Sequence, residues 1–321
     1  MPDAASPQPG PHHPGPRASG DPRVAVVVIT HRRREEVLVA LERLRDLPEQ
    51  PAVAVVDNGS DDGTAAAVAE QHPWALLVAS PDNLGAPGRG VGVAALERTL
   101  DPPPEVIAFC DDDTWWEPGS LARVADLFAE HPALACVNAR ILVEPGARED
   151  AIVAELRDSP VPGPPWLPGP ALGSFLAGAS AVRRSAFGEA GGFSRRLWLG
   201  GEEEIMGADL AAAGWELCYA ADAVVHHEPS RRREWRRRRR DGVRNTLWFI
   251  WLRRPLPAAL RRTRDVLASL PRDRTSVVGV ARALAGLPWV VRERRVLPPP
   301  AEARFLALED SQRRSTARHY G

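Results

Sequence analysis

The chain has no lysine; all 41 of its basic residues are arginine. That absence excludes a phosphate loop ending in Gly-Lys-Ser/Thr and any enzyme that works through a Schiff-base lysine. Cysteine is nearly as scarce. Cys110, Cys136 and Cys218 are isolated, with no CxxC pair and no disulfide framework, which suits a reducing, cytoplasmic setting. No apolar run approaches the ~18 residues of a membrane span, and no basic-then-apolar leader opens the sequence. A soluble or peripheral protein is expected.

What is present suffices for one large α/β domain with appendages: 321 residues, 44% of them hydrophobic. The net charge of −1 conceals a strong segregation. Residues 1–230 carry 17 Arg against 34 acids, a balance of −17, and residues 231–321 carry 24 Arg against 8 acids, a balance of +16. An acidic body gathers cations, and a basic end meets something anionic.

Residues 1–22 are rich in Pro, Gly and small polar residues and read as a disordered arm. Strand and helix patterns then alternate: strand 24–30, helix 34–44, strand 53–56, helix 64–71, strand 76–79, a Gly-rich stretch 85–92 opening a helix to about 99, and strand 106–110. This rhythm predicts a mostly parallel sheet with helices on both faces. Beyond it come strand 135–143, a Pro/Gly-dense loop over 158–170, strand-like 174–182, helical 183–190, a Gly-Gly-Phe turn, a helix over 203–213 and strand 223–227. Past Pro229 an Arg-dense helix precedes two more, about 258–270 and 276–285.

Asp111, Asp112 and Asp113 follow directly on the apolar run 106–110. Carboxylates at the C-terminal end of a buried strand lie in the crevice where open α/β sheets bind ligands. Such oxygens suit Mg²⁺ or Mn²⁺, which bridge to nucleotide phosphates. The competing reading is a solvated acidic turn that caps the helix starting near Ser120. Asp57 ends the second strand, where a carboxylate reads the N–H and O–H donors of a nucleoside. Asp61 and Asp62 cap the following helix. The stretch from Asp57 to Thr64 is no calcium loop, because Gly59 takes its third position and Val68 its twelfth. Glu202, Glu203 and Glu204 open a helix, which by itself is what the helix dipole favours.

Taken in order, these landmarks resemble the inverting glycosyltransferases of family 2. They are Val-Val-Val-Ile-Thr-His-Arg at 26–32, Val-Val-Asp-Asn-Gly-Ser-Asp-Asp-Gly-Thr at 55–64, Asn83-Leu84-Gly85, Asp111-Asp112-Asp113-Thr114, Gly191-Gly192-Phe193 before Gly201-Glu202-Glu203-Glu204, and Ala213-Gly214-Trp215 leading to Val224-Val225-His226-His227. The resemblance covers about residues 24–230. It implies a GT-A fold: a Rossmann-like, mostly parallel sheet flanked by helices over 23–230, with residues 231–321 an Arg-rich helical extension. It also implies metal-dependent sugar transfer from a nucleoside-diphosphate donor to a hydroxyl of a glycan, lipid-linked or small-molecule acceptor, as in polysaccharide biosynthesis.

Carried over by position, the resemblance sets Thr30, His31, Arg32, Asp57, Gly85, Arg89, Asp111 and Asp112 beside the donor. Its DXD-type acids put Asp113 on the metal, with Asp111 reaching the ribose or the metal through water, and His227 either completing the metal site or touching the diphosphate. Glu202-Glu203 match the family's Glu-Asp pair, whose second acid is the base, so Glu203 deprotonates the acceptor. Glycine stands at position 90, where the family often has asparagine. Trp115, Trp116 and Trp198, with Glu202, are candidates for acceptor contact, aromatic faces being good sugar platforms; the tryptophans serve equally well as core.

Residues 231–240 hold eight Arg around Trp235, and Trp248-Phe249-Ile250-Trp251 follow. A solvated helical face with its aromatic side packed on the catalytic body leads the readings. A peripheral contact with the inner face of the membrane comes second and nucleic-acid binding last. Rival functions are a sugar nucleotidyltransferase, which normally uses a Gly-rich loop after strand one and a lysine, and a non-catalytic nucleotide-sugar-binding protein.

Overall fold

The computed structural model describes residues 20–229 and 235–314. The first half is an alternating α/β layer. Strand β1 (Val24–Thr30) leads to α1 (Arg34–Arg45), β2 (Ala52–Asp57), α2 (Thr64–Gln71), β3 (Leu76–Ala79), α3 (Gly88–Thr99) and β4 (Val106–Asp111). β1, β2 and β4 are apolar at nearly every position because helices cover both faces of the sheet. In α1 the buried residues Val37, Ala40, Leu41 and Leu44 recur at helical spacing and make its sheet-facing stripe. Asp62 starts α2 by accepting the Thr64 N–H at 3.1 Å, as expected, whereas Asp61 turns outward to Arg32 at 2.6 Å.

The second half is mixed. A three-residue strand β5 (Thr114–Trp116) and helix α4 (Ser120–Glu130) are followed by β6 (Leu134–Val143), β7 (Arg148–Glu149), α5 (Ile152–Arg157), β8 (Ser180–Arg183), α6 (Arg184–Glu189), α7 (Glu202–Ala212) and β9 (Glu216–His227). The sheet runs β3-β2-β1-β4-β8-β6-β9-β5, with β7 pairing β6. β1 to β4 are mutually parallel, β8 is antiparallel to β4 and β6, and β5 is antiparallel to β9. Strand order reverses between β1 and β4, so their carboxyl ends flank the crevice that such a switch point creates.

Two expectations give way here. Residues 174–179 are a loop ending in a short 3₁₀ turn (Ala177–Ala179), with strand only from Ser180. Their apolar, small-residue composition serves close passage over the acids at the end of β4, not sheet pairing: a Cβ on Gly178 would lie 2.8 Å from an Asp111 carboxylate oxygen. Residues 20–22 are likewise not part of a loose arm, since Gly20 donates its N–H to the Gln50 carbonyl and Asp21 binds Arg23. The rest of the arm, residues 1–19, and Arg231–Arg233 of the arginine run lie outside the described residues.

The C-terminal part is helical: α8 (Trp235–Arg253), α9 (Leu256–Ser269), α10 (Arg274–Ala285), α11 (Leu287–Arg292) and α12 (Pro299–Arg314). These helices build a second apolar core that also takes in Leu197, Ile205 and Ala208 from around α7. Trp248, Phe249 and Ile250 are buried in it and Trp251 packs against it, so the aromatic cluster is core and not a lipid-facing surface. Arg254 ties α12 in place, donating to Glu302 at 2.6 and 2.8 Å and to Glu309 at 2.6 Å, all three side chains being buried.

Candidate active site

The register of the sheet sets the site. Thr30 pairs with Asp57 and Ile29 with Asp111, so two acids emerge from the ends of β2 and β4 on either side of β1. Asp57 is buried and accepts the Ser60 N–H at 3.2 Å and the Ser60 hydroxyl at 2.5 Å. The loop after β1 is drawn over the same edge. A His31 ring nitrogen lies 2.8 Å from the Asn58 carbonyl, and Arg32, at φ 55°, donates its N–H to the Ser60 hydroxyl at 2.8 Å.

The three aspartates part company. Asp111 forms an ion pair with Arg89, which lies buried in the first turn of α3 with its guanidinium 5.6 Å from the Phe193 ring. Asp112, set beside the donor by the resemblance, turns inward and is 7% exposed. Burial pushes its carboxyl up to about 7 against the pull of Arg33, and the charges of Asp113 and Asp111 add to the rise. Arg33 donates one nitrogen to Asp112 at 2.8 Å and to Asp113 at 2.9 Å. Pairing of Thr114 with His227 across β5 and β9 then brings the His227 Nε2 to 3.9 Å from Asp113 Oδ1.

Glu203 approaches from α7, whose start requires Gly201 at φ 82°. Its carboxylate accepts the Ala177 N–H at 2.6 Å, a bond supplied by the loop that passes over Asp111. Burial raises the Glu203 carboxyl above the usual range, and burial together with the charge of Glu203 raises that of Glu202. Glu202 is 3% exposed and points into the protein, so it is no acceptor contact.

Asp111, Thr114, Glu203, Glu204 and His227 line one hollow of about 540 Å³. Its far wall is apolar, with Ile152, Leu156 and Phe175, and α8 closes it with Arg238, Gly242 and Thr246. Of the residues singled out in the sequence, Asp111, His227 and Glu203 meet at this hollow. Trp116 is instead fully buried in the main core, and Trp115 stacks on His226 with ring centroids 5.6 Å apart. Trp198 clasps the glycine loop: its indole N–H donates to the Asn83 carbonyl at 3.0 Å, and its own carbonyl accepts the Ala86 N–H at 2.9 Å. Gly85, at φ 65°, leaves it room, for a Cβ there would stand 2.1 Å from the Trp198 carbonyl oxygen. Gly90 faces open space, with nothing within 4 Å of a Cβ.

Sequence reasoning passed over Arg33 and Gly178. The signal for Arg33 was slight, a third basic residue beside His31 and Arg32; nothing local marks Gly178. Asp111, Glu203 and Glu204 line the hollow itself, while Arg89 pairs with Asp111 and Arg33 with Asp112 and Asp113 beside it. Among the described residues no three His, Cys, Asp or Glu side chains converge on one point. A hard divalent cation at a phosphate site usually takes only one or two protein ligands and completes its shell with phosphate and water. The Asp113–His227 pair fits that requirement.

An acidic hollow at the switch point of a curled α/β sheet, with a carboxylate reaching in from a helix opposite, defines a GT-A glycosyltransferase. Residues 25–187, just over half the chain, match the model of glycosyl transferase family 2, and the chain belongs to that family. It is 28% identical over 235 residues, 64% of this chain and 76% of the relative, to N-acetylglucosaminyl-diphospho-decaprenol L-rhamnosyltransferase of Mycobacterium tuberculosis. Among solved structures it resembles TarS residues 1–349 of S. aureus, at 15% identity and TM-score 0.55, over 92% of this chain and 93% of that one. It also resembles the mannosyltransferase PcManGT of Pyrobaculum calidifontis, solved with GDP-Man and Mn²⁺, at 19% identity and TM-score 0.50, covering 92% and 76%. These two likenesses speak for the fold.

Proposed function

We propose that this glycosyltransferase is metal-dependent and inverting, and that it moves a sugar from a nucleoside diphosphate to a hydroxyl of a lipid-linked saccharide. The observation that carries the reading is the hollow shared by Asp111, His227 and Glu203. Asp57, Arg32 and the Gly85 loop border the nucleoside side, and Arg89 lies toward the diphosphate. Asp113 and His227 would hold Mg²⁺ or Mn²⁺, as the Mn²⁺ in the PcManGT structure supports. A cation bound there supplies neutralisation of the charge on the leaving diphosphate.

Glu203 takes the acceptor hydroxyl proton while that oxygen bonds to the anomeric carbon. The bond from that carbon to the diphosphate oxygen breaks in the same displacement, and its electron pair leaves with the nucleoside diphosphate. The raised affinity of Glu203 for protons makes it the better base at neutral pH. The lipid-linked acceptor is supported by the name of the mycobacterial relative and by the apolar wall of the hollow.

The division into a catalytic body over 23–230 and a helical extension over 231–321 is supported by the second apolar core. A cytoplasmic setting is supported by three buried cysteines, all unpaired. Among the described residues no helix is long and apolar enough to cross a membrane. The test is incubation with UDP-, GDP- and dTDP-sugars, with Mn²⁺ or with chelator. Metal-dependent release of nucleoside diphosphate is the expected result; release of pyrophosphate, or turnover indifferent to chelator, overturns the proposal.

A further inference from the structure

Of the eleven large hydrophobic side chains exposed among the described residues, nine fall between Leu256 and Leu306. Singly exposed apolar residues are ordinary, but these are arranged. Leu256, Leu260 and Leu267, 55%, 56% and 46% exposed, stand at i, i+4 and i+11 and so share one stripe of α9. The opposite side of α9, with Ala258 and Ala259 buried and Val266 half-buried, packs into the second core. α10 repeats the arrangement: Val277 and Leu284, i and i+7, are 67% and 60% exposed, while Gly279 and Ala283 face α8.

Arginines lie among these stripes. Residues 255–298 hold nine Arg against three acids. The side chains of Arg264 on α9, Arg292 at the end of α11 and Arg295 just beyond it are 79%, 71% and 72% exposed, each with one acid beside it (Asp265, Glu293 and Asp209). Apolar stripes edged by exposed cations match the boundary of a bilayer, where acyl chains meet anionic headgroups. A second copy of this chain fits poorly, because a two-fold contact would set like charge against like.

We infer that the outer faces of α9 and α10 dock on an anionic lipid surface. α8 packs against both helices and also closes the hollow with Arg238, Gly242 and Thr246, so the docked face lies one helix away from the acceptor side. The inference adds to the lipid-linked reading of the acceptor the surface through which the enzyme would reach it. It is tested without donor or acceptor, so its failure and the failure of that reading are distinguishable.

The assay is flotation of the full chain with phosphatidylglycerol–phosphatidylcholine vesicles against phosphatidylcholine alone. Binding is expected only with the anionic lipid and weakens as salt is raised. The combined Leu256→Glu, Leu260→Glu and Leu267→Glu variant is expected to bind at least about tenfold less, with donor hydrolysis and thermal melting unchanged. Independently, a Leu260→Trp variant should shift its emission to the blue on anionic vesicles. Three results would each overturn the inference: equal binding to neutral vesicles, undiminished binding by the triple variant, or a wild-type dimer that the triple variant makes monomeric.

Discussion

Replacing Glu203 by glutamine separates what that side chain does to protons from what it does for the fold. Glutamine keeps a carbonyl oxygen for the Ala177 N–H, held at 2.6 Å in the native chain, so the loop over Asp111 stays put. It cannot accept the acceptor's proton. Loss of a positioned base costs about 10²–10⁴ in rate, or about 3–5 kcal/mol of transition-state stabilisation. The KM for donor should barely move, because the lost interaction belongs to the acceptor half of the reaction. Stability should change in the opposite sense. Burial lifts the Glu203 carboxyl from 4.5 to about 6, so ionising it opposes folding. That opposition is absent below about 4.5 and complete above about 6. After allowance for its opening onto the hollow, it amounts to roughly 1–2 kcal/mol at neutral pH. The variant should therefore melt a few degrees higher than wild type at pH 8, with the gap closing as pH falls towards 4.5. Scanning calorimetry at both pH values, beside initial rates on a soluble acceptor, reads both quantities. Activity within tenfold of wild type refutes the role of Glu203; lost activity with a lowered melting temperature shows it to be a structural residue.

The same elevation sets the pH profile: kcat/KM should fall on the acid side of about 6, above the ordinary glutamate range, because the base works only when ionised. Asp113→Asn removes one member of the Asp113–His227 pair and should raise the Mn²⁺ needed for half-maximal activity at least about tenfold, read by titration of the metal-stripped enzyme. Arg254→Met strands Glu302 and Glu309 in a buried setting and should cost about 3–5 kcal/mol in urea denaturation, while a variant within 1 kcal/mol of wild type would refute the buried network.

Much of the catalytic body was legible because its strands are buried on both faces and therefore read as continuous apolar runs, with acids marking where β2 and β4 stop. Local pattern failed where the deciding partner is distant in sequence. Thr114-Trp115-Trp116 is a strand only because β9 lies beside it, and that pairing buries Trp116 in the core while leaving Trp115 against His226. Residues 174–179 have strand-like composition, yet Leu176 gives its N–H to the Asn138 side chain at 2.7 Å and Ala177 gives its own to Glu203. The aromatic run 248–251 resembles an interfacial anchor until the helices that cover it are known.

The loop over 174–179 touches both halves of the reaction at once. Gly178 abuts Asp111, proposed to lie beside the departing phosphates, and the preceding amide holds Glu203, the proposed base. The two ends of the chemistry are thus yoked through adjacent residues. A methyl group added at Gly178 would press on Asp111 and disturb the amide that holds Glu203, so the two carboxylates cannot shift independently in this chain.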